Sequence, residues 1–357
     1  DWTMVDWMRF RGGFQHAVRS PTIAELYSPQ VNNFPTFTNQ DPCNTTGAIA
    51  ATYRNGPNGA QVQALCAAQS GVAGGASYVQ PFGQATGITG GNPDLDTEKA
   101  DSWTAGLVFN SPWDGTYSRN LTATVDYWSI ELEDVIAAVG ATDIVQRCFN
   151  RDNANPTYST SNSWCQLFNR DQSNGGVVDL LQLSQNQSFI NTSGVDFTLN
   201  WGFPVSDRWG DLAFQWVVTY VAEYETQTTD VDPVFDYAGT IGSTTGSSVP
   251  EYKTNLTVTW NIDALQVQAT GRYIDSMVHA NTVTGGSPLT NTSVDSTYYV
   301  DLSAKYDLTE NLSIRGTINN LFDEEPQLYT PNVQANTDPS LYDVLGTRYF
   351  VGINYRL

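Results

Sequence analysis

Apolar and polar residues alternate with a period of two through ten segments of this chain, which predicts strands with one apolar and one polar face. The clearest is 121–130, where Leu121, Ala123, Val125 and Tyr127 share one face and Thr122, Thr124 and Asp126 the other. The same pattern runs through 9–18, 103–109, 195–201, 212–222, 256–261, 265–273, 300–306, 312–319 and 349–357. Several segments run about 9 to 13 residues, the length of a tilted strand crossing a bilayer, whereas globular strands average about 5 to 6. The connections alternate between short (110–118, 202–210, 262–264, 308–311) and long (19–98, 135–188, 226–252, 277–297, 322–347). A compact soluble domain rarely carries so many long loops, whereas outer-membrane barrels combine short periplasmic turns with long extracellular loops.

Aromatic residues gather at both ends of these segments. Phe109, Trp113, Tyr117, Trp201, Phe203, Trp209, Trp260, Tyr306 and Tyr355 lie near the short turns. Trp103, Tyr127, Trp128, Tyr220, Tyr224, Tyr273, Tyr298 and Tyr349 lie near the long loops. Two such bands bordering an apolar stripe form the interfacial girdles of a membrane barrel. With the apolar stripe against lipid, Asp126, Asp196, Arg272, Asp301, Lys305 and Arg315 face the lumen. There a charge stays hydrated or pairs with whatever fills the pore.

Composition agrees. Charged residues are only 15% of the 357, against about 25% in a soluble domain, so Asn, Thr, Ser, Gln and Gly fill the polar positions. No run of 18 or more apolar residues occurs, which excludes membrane-spanning helices. The formal net charge of −21 leaves little to neutralise phosphates and excludes nucleic acid as a partner. Residues 1–10 have neither the basic nor the apolar region of a signal peptide, so a signal has been removed or the chain begins inside a longer protein.

Cys43, Cys66, Cys148 and Cys165 fall into two sequence-local pairs. With two His residues and no C-x-x-C, disulfides 43–66 and 148–165 in an oxidising compartment are expected, and a metal centre is not. The second pair brackets a polar, aromatic loop, which makes Tyr158, Trp164, Asn169 and Arg170 candidate ligand contacts: rings for sugar faces, Asn and Arg for hydroxyls or carboxylates. In the first long loop, Tyr78 and Phe82 are further candidates, a helix is expected around 59–68, and the Gly/Ala-rich 71–91 suggests a mobile lid or segments packing over the pore. Asp94, Asp96 and Glu98, and likewise Asp230, Asp232 and Asp236, have a calcium-loop-like spacing, a candidate structural calcium in the extracellular loops, but lack the full EF-hand ligand set. Catalytic signatures (G-x-S-x-G, H-E-x-x-H, a P-loop) are absent, so the chain reads as no enzyme.

Several stretches resemble one family. RGGFQHAVRSPTIAELYSP (11–29), GNPDLDTEKADSWTAGLVF (91–109), DYWSIELEDVI (126–136), NNLFDEEP (319–326) and the terminal RYFVGINYRL (348–357) resemble, in order, the barrel of TonB-dependent outer-membrane receptors. The family usually ends in Phe; here the last residue is Leu357. The resemblance implies a transmembrane antiparallel barrel of about 22 strands closed by a plug, of which this chain would supply about ten C-terminal strands as one partial domain (1–357), without the plug. It implies TonB-dependent uptake of a scarce nutrient across a Gram-negative outer membrane, with lipid, the nutrient, TonB acting through the plug, and a surface lipoprotein as partners. An oligosaccharide or other polar organic ligand is expected ahead of a ferric siderophore. Ten strands closing by themselves as a passive pore, or an adhesin, is the alternative.

Overall fold

A computed structural model describes residues 1–227, 233–242, 248–284, 292–329 and 336–356. Eleven strands form one antiparallel sheet in chain order: β1 (Trp2–Val5), β2 (Met8–Arg19), β3 (Glu98–Asn110), β4 (Leu121–Ala138), β5 (Ser184–Ser206), β6 (Gly210–Gln227), β7 (Tyr252–Ile262), β8 (Leu265–Ile274), β9 (Thr297–Thr309), β10 (Leu312–Asn319) and β11 (Arg348–Tyr355). Each pairs with its sequence neighbours, an up-and-down meander, and the two-residue strand Phe235–Asp236 adds to the end of β6. All ten expected strands are present; the eleventh, β1, folds back on β2 through a turn at Asp6–Trp7. Among the described residues nothing pairs β1 with β11, so the described sheet is open and does not favour a self-closed ten-stranded pore.

The register carries the alternation into rows. Phe10, Leu107, Val125, Phe197 and Val218 lie side by side across five strands. The next row, one residue along, is Arg11, Gly106, Asp126, Asp196, Thr219 and Lys253. A slip of one residue would exchange these faces, so the pattern fixes the pairing. The two girdles are visible as contacts. Near the short turns, Trp201 stacks on Phe214 at 5.4 Å and Trp209 lies 6.4 Å from Trp260. The indoles of Trp201 and Trp260 donate to turn carbonyls of Tyr117 and Trp209, both at 2.7 Å, which satisfies their one polar group at the interface. Near the long loops, Phe14 meets Trp103 and Tyr273 meets Tyr298, at 4.4 and 4.7 Å. Trp128 departs from the girdle assignment: the register sets it on the polar face with Asp126, and its ring lies over Gly194 where any Cβ would intrude.

Three strands exceed the expected length. β5 has 23 residues, β4 and β6 have 18 each, where about 9 to 11 cross the hydrocarbon. They continue past the upper girdle, so the second long loop shrinks to 139–183, and Arg19 and Glu98 at the ends of the first are themselves paired strand residues.

Above the sheet, the two longest loops share one core. Helices Gly47–Thr52, Gly59–Gln69 and Ala141–Cys148 pack Val62, Leu65, Ile144 and Val145 against Phe37, Phe149 and Leu180. Strands Val31–Asn33, Gly87–Thr89 and Leu180–Leu181 pair across the two loops. Both expected disulfides are present. The 71–91 stretch buries Ala73, Tyr78 and Ala85 in this core, so of the two readings offered for it, packed segments rather than a mobile lid describe it. A second core, around Ile241, Ile274, Met277, Tyr299, Tyr329 and Tyr342, draws together the three later loops.

Candidate functional site

The first cap is tied to the sheet at one network. Arg19 at the end of β2 bonds Glu98 at the start of β3 and Glu25 of the short helix Ile23–Tyr27. Thr22 and Glu25 form a reciprocal capping box, and Glu98 also accepts the Ile136 amide at 2.8 Å. Held by Arg19 and the Thr22 amide, the Glu25 carboxyl is lowered to about 2. The stretch around Arg19 and the one around Glu98 are therefore two halves of one joint.

Inside this cap lies a fully buried ion pair. Arg170 donates to Asp41 from Nη1 and Nη2 at 2.7 and 2.8 Å, and both side chains are 0% exposed. Asp41 also accepts the Cys43 amide at 3.0 Å and the Tyr78 hydroxyl at 2.9 Å; Arg170 reaches Gln69 and the Gly175 carbonyl, both at 2.9 Å. Burial alone would raise the Asp41 carboxyl, but the Arg170 charge and hydrogen bonds, with those of Cys43 and Tyr78, outweigh it and hold the group below its ordinary range.

This corrects two of the six candidate ligand contacts. Arg170 and Tyr78 are committed to the cap's interior and present no surface. The other four remain at or near the surface. Asn169 and Phe82 are exposed, Phe82 by 65%; Tyr158 and Trp164 are half-buried against the same core, and the Arg147 guanidinium lies 4.7 Å over the Trp164 ring.

The six charged residues expected in the lumen all lie on the polar face of the sheet. Arg11 reaches across β3 to grip both oxygens of Asp126, at 2.7 and 2.5 Å. It can do so because position 106 is glycine: a Cβ there would overlap the Asp126 carboxylate. Asp196, directly opposite Asp126, accepts the Thr219 hydroxyl at 2.7 Å. Lys305 faces Arg315 across the β9–β10 pair and turns to Asp307 at 2.8 Å, while Arg315 occupies the space over Gly352.

Arg272 and Asp301 stand together below the second cap, with 3.2 Å between Nε and the carboxylate, and the guanidinium lies 4.8 Å over the Tyr299 ring. The NNLFDEEP stretch builds the adjoining turn. Asn320 takes φ 50°, donates from its amide to Asp301 at 2.8 Å and closes on Glu324 in both directions. A cavity of about 300 Å³ opens here between Arg272, Arg348 and the segment 339–345. Sequence reasoning marked Arg272 and Asp301 but missed Arg348, Asp343 and Tyr342, because only the packing of the last long loop brings them there.

The first calcium-like spacing does not gather. Glu98 is engaged by Arg19 and Ile136, and among the described residues no three of His, Cys, Asp and Glu converge. Asp230 and Asp232 of the second spacing, like the terminal Leu357, lie outside the described residues.

Comparison with known proteins follows the same lines. A family model described as TonB dependent receptor-like, beta-barrel, matches residues 1–321. No curated protein matches the chain. Among solved structures it is similar to a variant of the ferric enterobactin receptor PfeA from Pseudomonas aeruginosa, at 14% identity and TM-score 0.57, covering 99% of this chain and 38% of that one. It is also similar to the siderophore receptor PirA from Acinetobacter baumannii (13%, TM-score 0.54, 99% and 39%) and to the FrpB iron transporter from Neisseria meningitidis (13%, 0.52, 99% and 38%). The chain thus spans about two fifths of the length of these proteins, and identities this low speak to fold alone.

Proposed function

Because the chain belongs to the TonB-dependent receptor β-barrel family, whose members are outer-membrane receptors and transporters rather than enzymes, we propose that it forms the later wall and caps of a barrel that takes up a scarce nutrient. The observation that carries this reading is the joining of two long loops into one disulfide-bonded body above a sheet with opposed apolar and polar faces. Such a body is rigid enough to hold a ligand surface without ordering it anew at each encounter. The long loops face the outside, the short turns the periplasm, and the polar face lines the path. Energy comes from TonB acting on a plug, and a surface lipoprotein can assist capture. The sheet does no chemistry of its own.

The ligand is a neutral or weakly charged polar organic molecule, an oligosaccharide ahead of a ferric siderophore. The solved receptors named above bind or move iron compounds, but the chain's charge of −21 disfavours a strongly anionic cargo. The test is uptake by cells with the gene intact, deleted, or intact in a TonB-deficient background, offered labelled neutral oligosaccharides or ferric siderophores. Uptake of an oligosaccharide that needs both the gene and TonB is the expected result. Gene-dependent uptake that ignores TonB would restore the passive-pore alternative, and TonB-dependent uptake of iron alone would reverse the ligand order.

A further inference from the structure

Three residues lining the cavity beneath the second cap have polar atoms that make no hydrogen bond among the described residues, all buried at the atom level. They are Nε of Arg348, the hydroxyl of Tyr342, and Nε of Arg272, which stands 3.2 Å from the Asp301 carboxylate without hydrogen-bond geometry. Leaving such groups unsatisfied costs about 1–3 kcal/mol each, so their grouping around one cavity marks a place where oxygens of water or of a ligand are taken. Tyr342 is 3% exposed. The Nε atoms of Arg272 and Arg348 are covered, but the side chains are 33% and 37% exposed, so other parts of the two guanidinium-bearing side chains can be reached from the cavity.

Charge decides what kind of ligand fits. Arg272 already stands against Asp301, and Arg348 donates from Nη2 to Asp343 at 2.8 Å. Two cations and two anions cancel, so a carboxylate or phosphate entering here would find no net attraction to offset its dehydration. A neutral group loses less and can use both signs: its oxygens accept from guanidinium N–H groups of Arg272 and Arg348, and its hydroxyls donate to the Asp343 carboxylate, which lines the cavity. The remaining wall is Pro339, Ser340, Leu341, Val344 and Leu345 with the Tyr342 ring, mostly apolar and suited to the C–H faces of a ring. A volume of about 300 Å³ is at the small end of ligand sites.

We propose that this cavity is a binding subsite for a neutral polyhydroxylated ring, one monosaccharide unit of a larger glycan, held by Arg272, Arg348 and Tyr342. The proposal deepens the nutrient-receptor reading and rests on it for the ligand's origin, but its chemistry stands on the cavity alone.

Saturation-transfer NMR on the detergent-extracted protein tests it, with glucose, galactose, mannose and xylose as neutral probes and glucuronate and galacturonate as charged ones. At least one neutral sugar should bind saturably, with the uronates about tenfold weaker, the equivalent of one lost hydrogen bond to a charged group. Arg348→Gln should weaken the neutral sugar about tenfold. Tyr342→Phe removes only a hydroxyl with no hydrogen-bond partner among the described residues, so it should leave the fold intact and weaken binding about threefold to tenfold. Absence of saturable binding by every neutral sugar, tighter binding of a uronate, or wild-type affinity in a folded Tyr342→Phe each overturns the proposal. TonB-dependent uptake is measured separately, so loss of the subsite and loss of the receptor reading give different results.

Discussion

Replacing Asp41 by Asn tests whether the first cap is a folded body in its own right. The change keeps the shape of the side chain and removes its charge. Arg170, 0% exposed, then stays buried with neutral acceptors only, Gln69, Gly175 and the amide oxygen of the new Asn, and no counter-ion. Breaking a buried pair from one side costs about 3–5 kcal/mol. In the regime where the cap opens and closes faster than a protease cuts, that raises cleavage within 20–97 and 139–183 by about 100-fold or more. The sheet does not use this pair, so heat-modified mobility on gels, which reports the barrel strands, should not change. Removing both charges while filling the space, as Asp41→Leu with Arg170→Met, should recover much of the loss, because the two charges are then no longer desolvated. The pH dependence has a definite sign. The carboxyl is held below its ordinary value in the fold, so its contribution is complete above the unfolded value of about 3.9 and fades only as pH falls below it. Wild type and Asp41→Asn should therefore differ by a constant factor from pH 8 to 5 and converge in stronger acid. A cleavage rate within threefold of wild type at pH 7 would refute the reasoning, since a pair that can lose one charge at no cost is not holding the cap.

Other consequences are as direct. Gly106→Ala puts a methyl group into the Asp126 carboxylate and should break its grip on Arg11, lowering the unfolding temperature of the extracted protein in circular dichroism by the equivalent of about 1–3 kcal/mol. Val125→Arg, on the apolar face, should cost about 2–4 kcal/mol near the bilayer midplane, while Thr124→Arg, on the polar face next to it, should assemble nearly as wild type in a folding assay with lipid vesicles; equal costs would mean that the faces are reversed. Replacing Cys148 and Cys165 by Ser opens a link between residues 17 apart and should destabilise the first cap by about 3 kcal/mol, read by the same protease assay. Burial lowers the pKa of His279 in the second cap, so the neutral ring is favoured: its contribution is present above about 6.5 and lost as pH falls through the lowered folded value. Proteolysis of the second cap should rise on acidification and do so less in His279→Gln.

The sheet was legible because its information is local and periodic. A strand such as 121–130 declares both faces in ten residues, and the short turns are bracketed by aromatics that the interface selects. β1 escaped notice because four residues are too few for a period, and the overshoot of β4, β5 and β6 because above the girdle both faces meet water and the alternation loses its cause. Trp128 was misassigned for a related reason: composition placed a Trp near the interface, but parity along the strand, shared with Asp126, put it on the other face.

The candidate site was less legible, because its chemistry depends on partners more than 100 residues away. Arg170 reads in sequence as a loop arginine within reach of a ligand. What removes it from the surface is Asp41, separated by 129 residues, in a core that the two loops share. The same distance effect works in the other direction at Arg272. In sequence it is one polar residue on a strand; in the fold, Tyr299 lies beneath its guanidinium and the segment 339–345 closes over it. Burial of a charge with all its bonds made, as at Arg170, signals structure. Burial with hydrogen bonds left unmade around a cavity, as at Arg272, Arg348 and Tyr342, is what the proposed subsite rests on. The unmatched donors thus move the search for the ligand from the disulfide loop, where aromatic and polar residues are abundant, to the wall beneath the second cap.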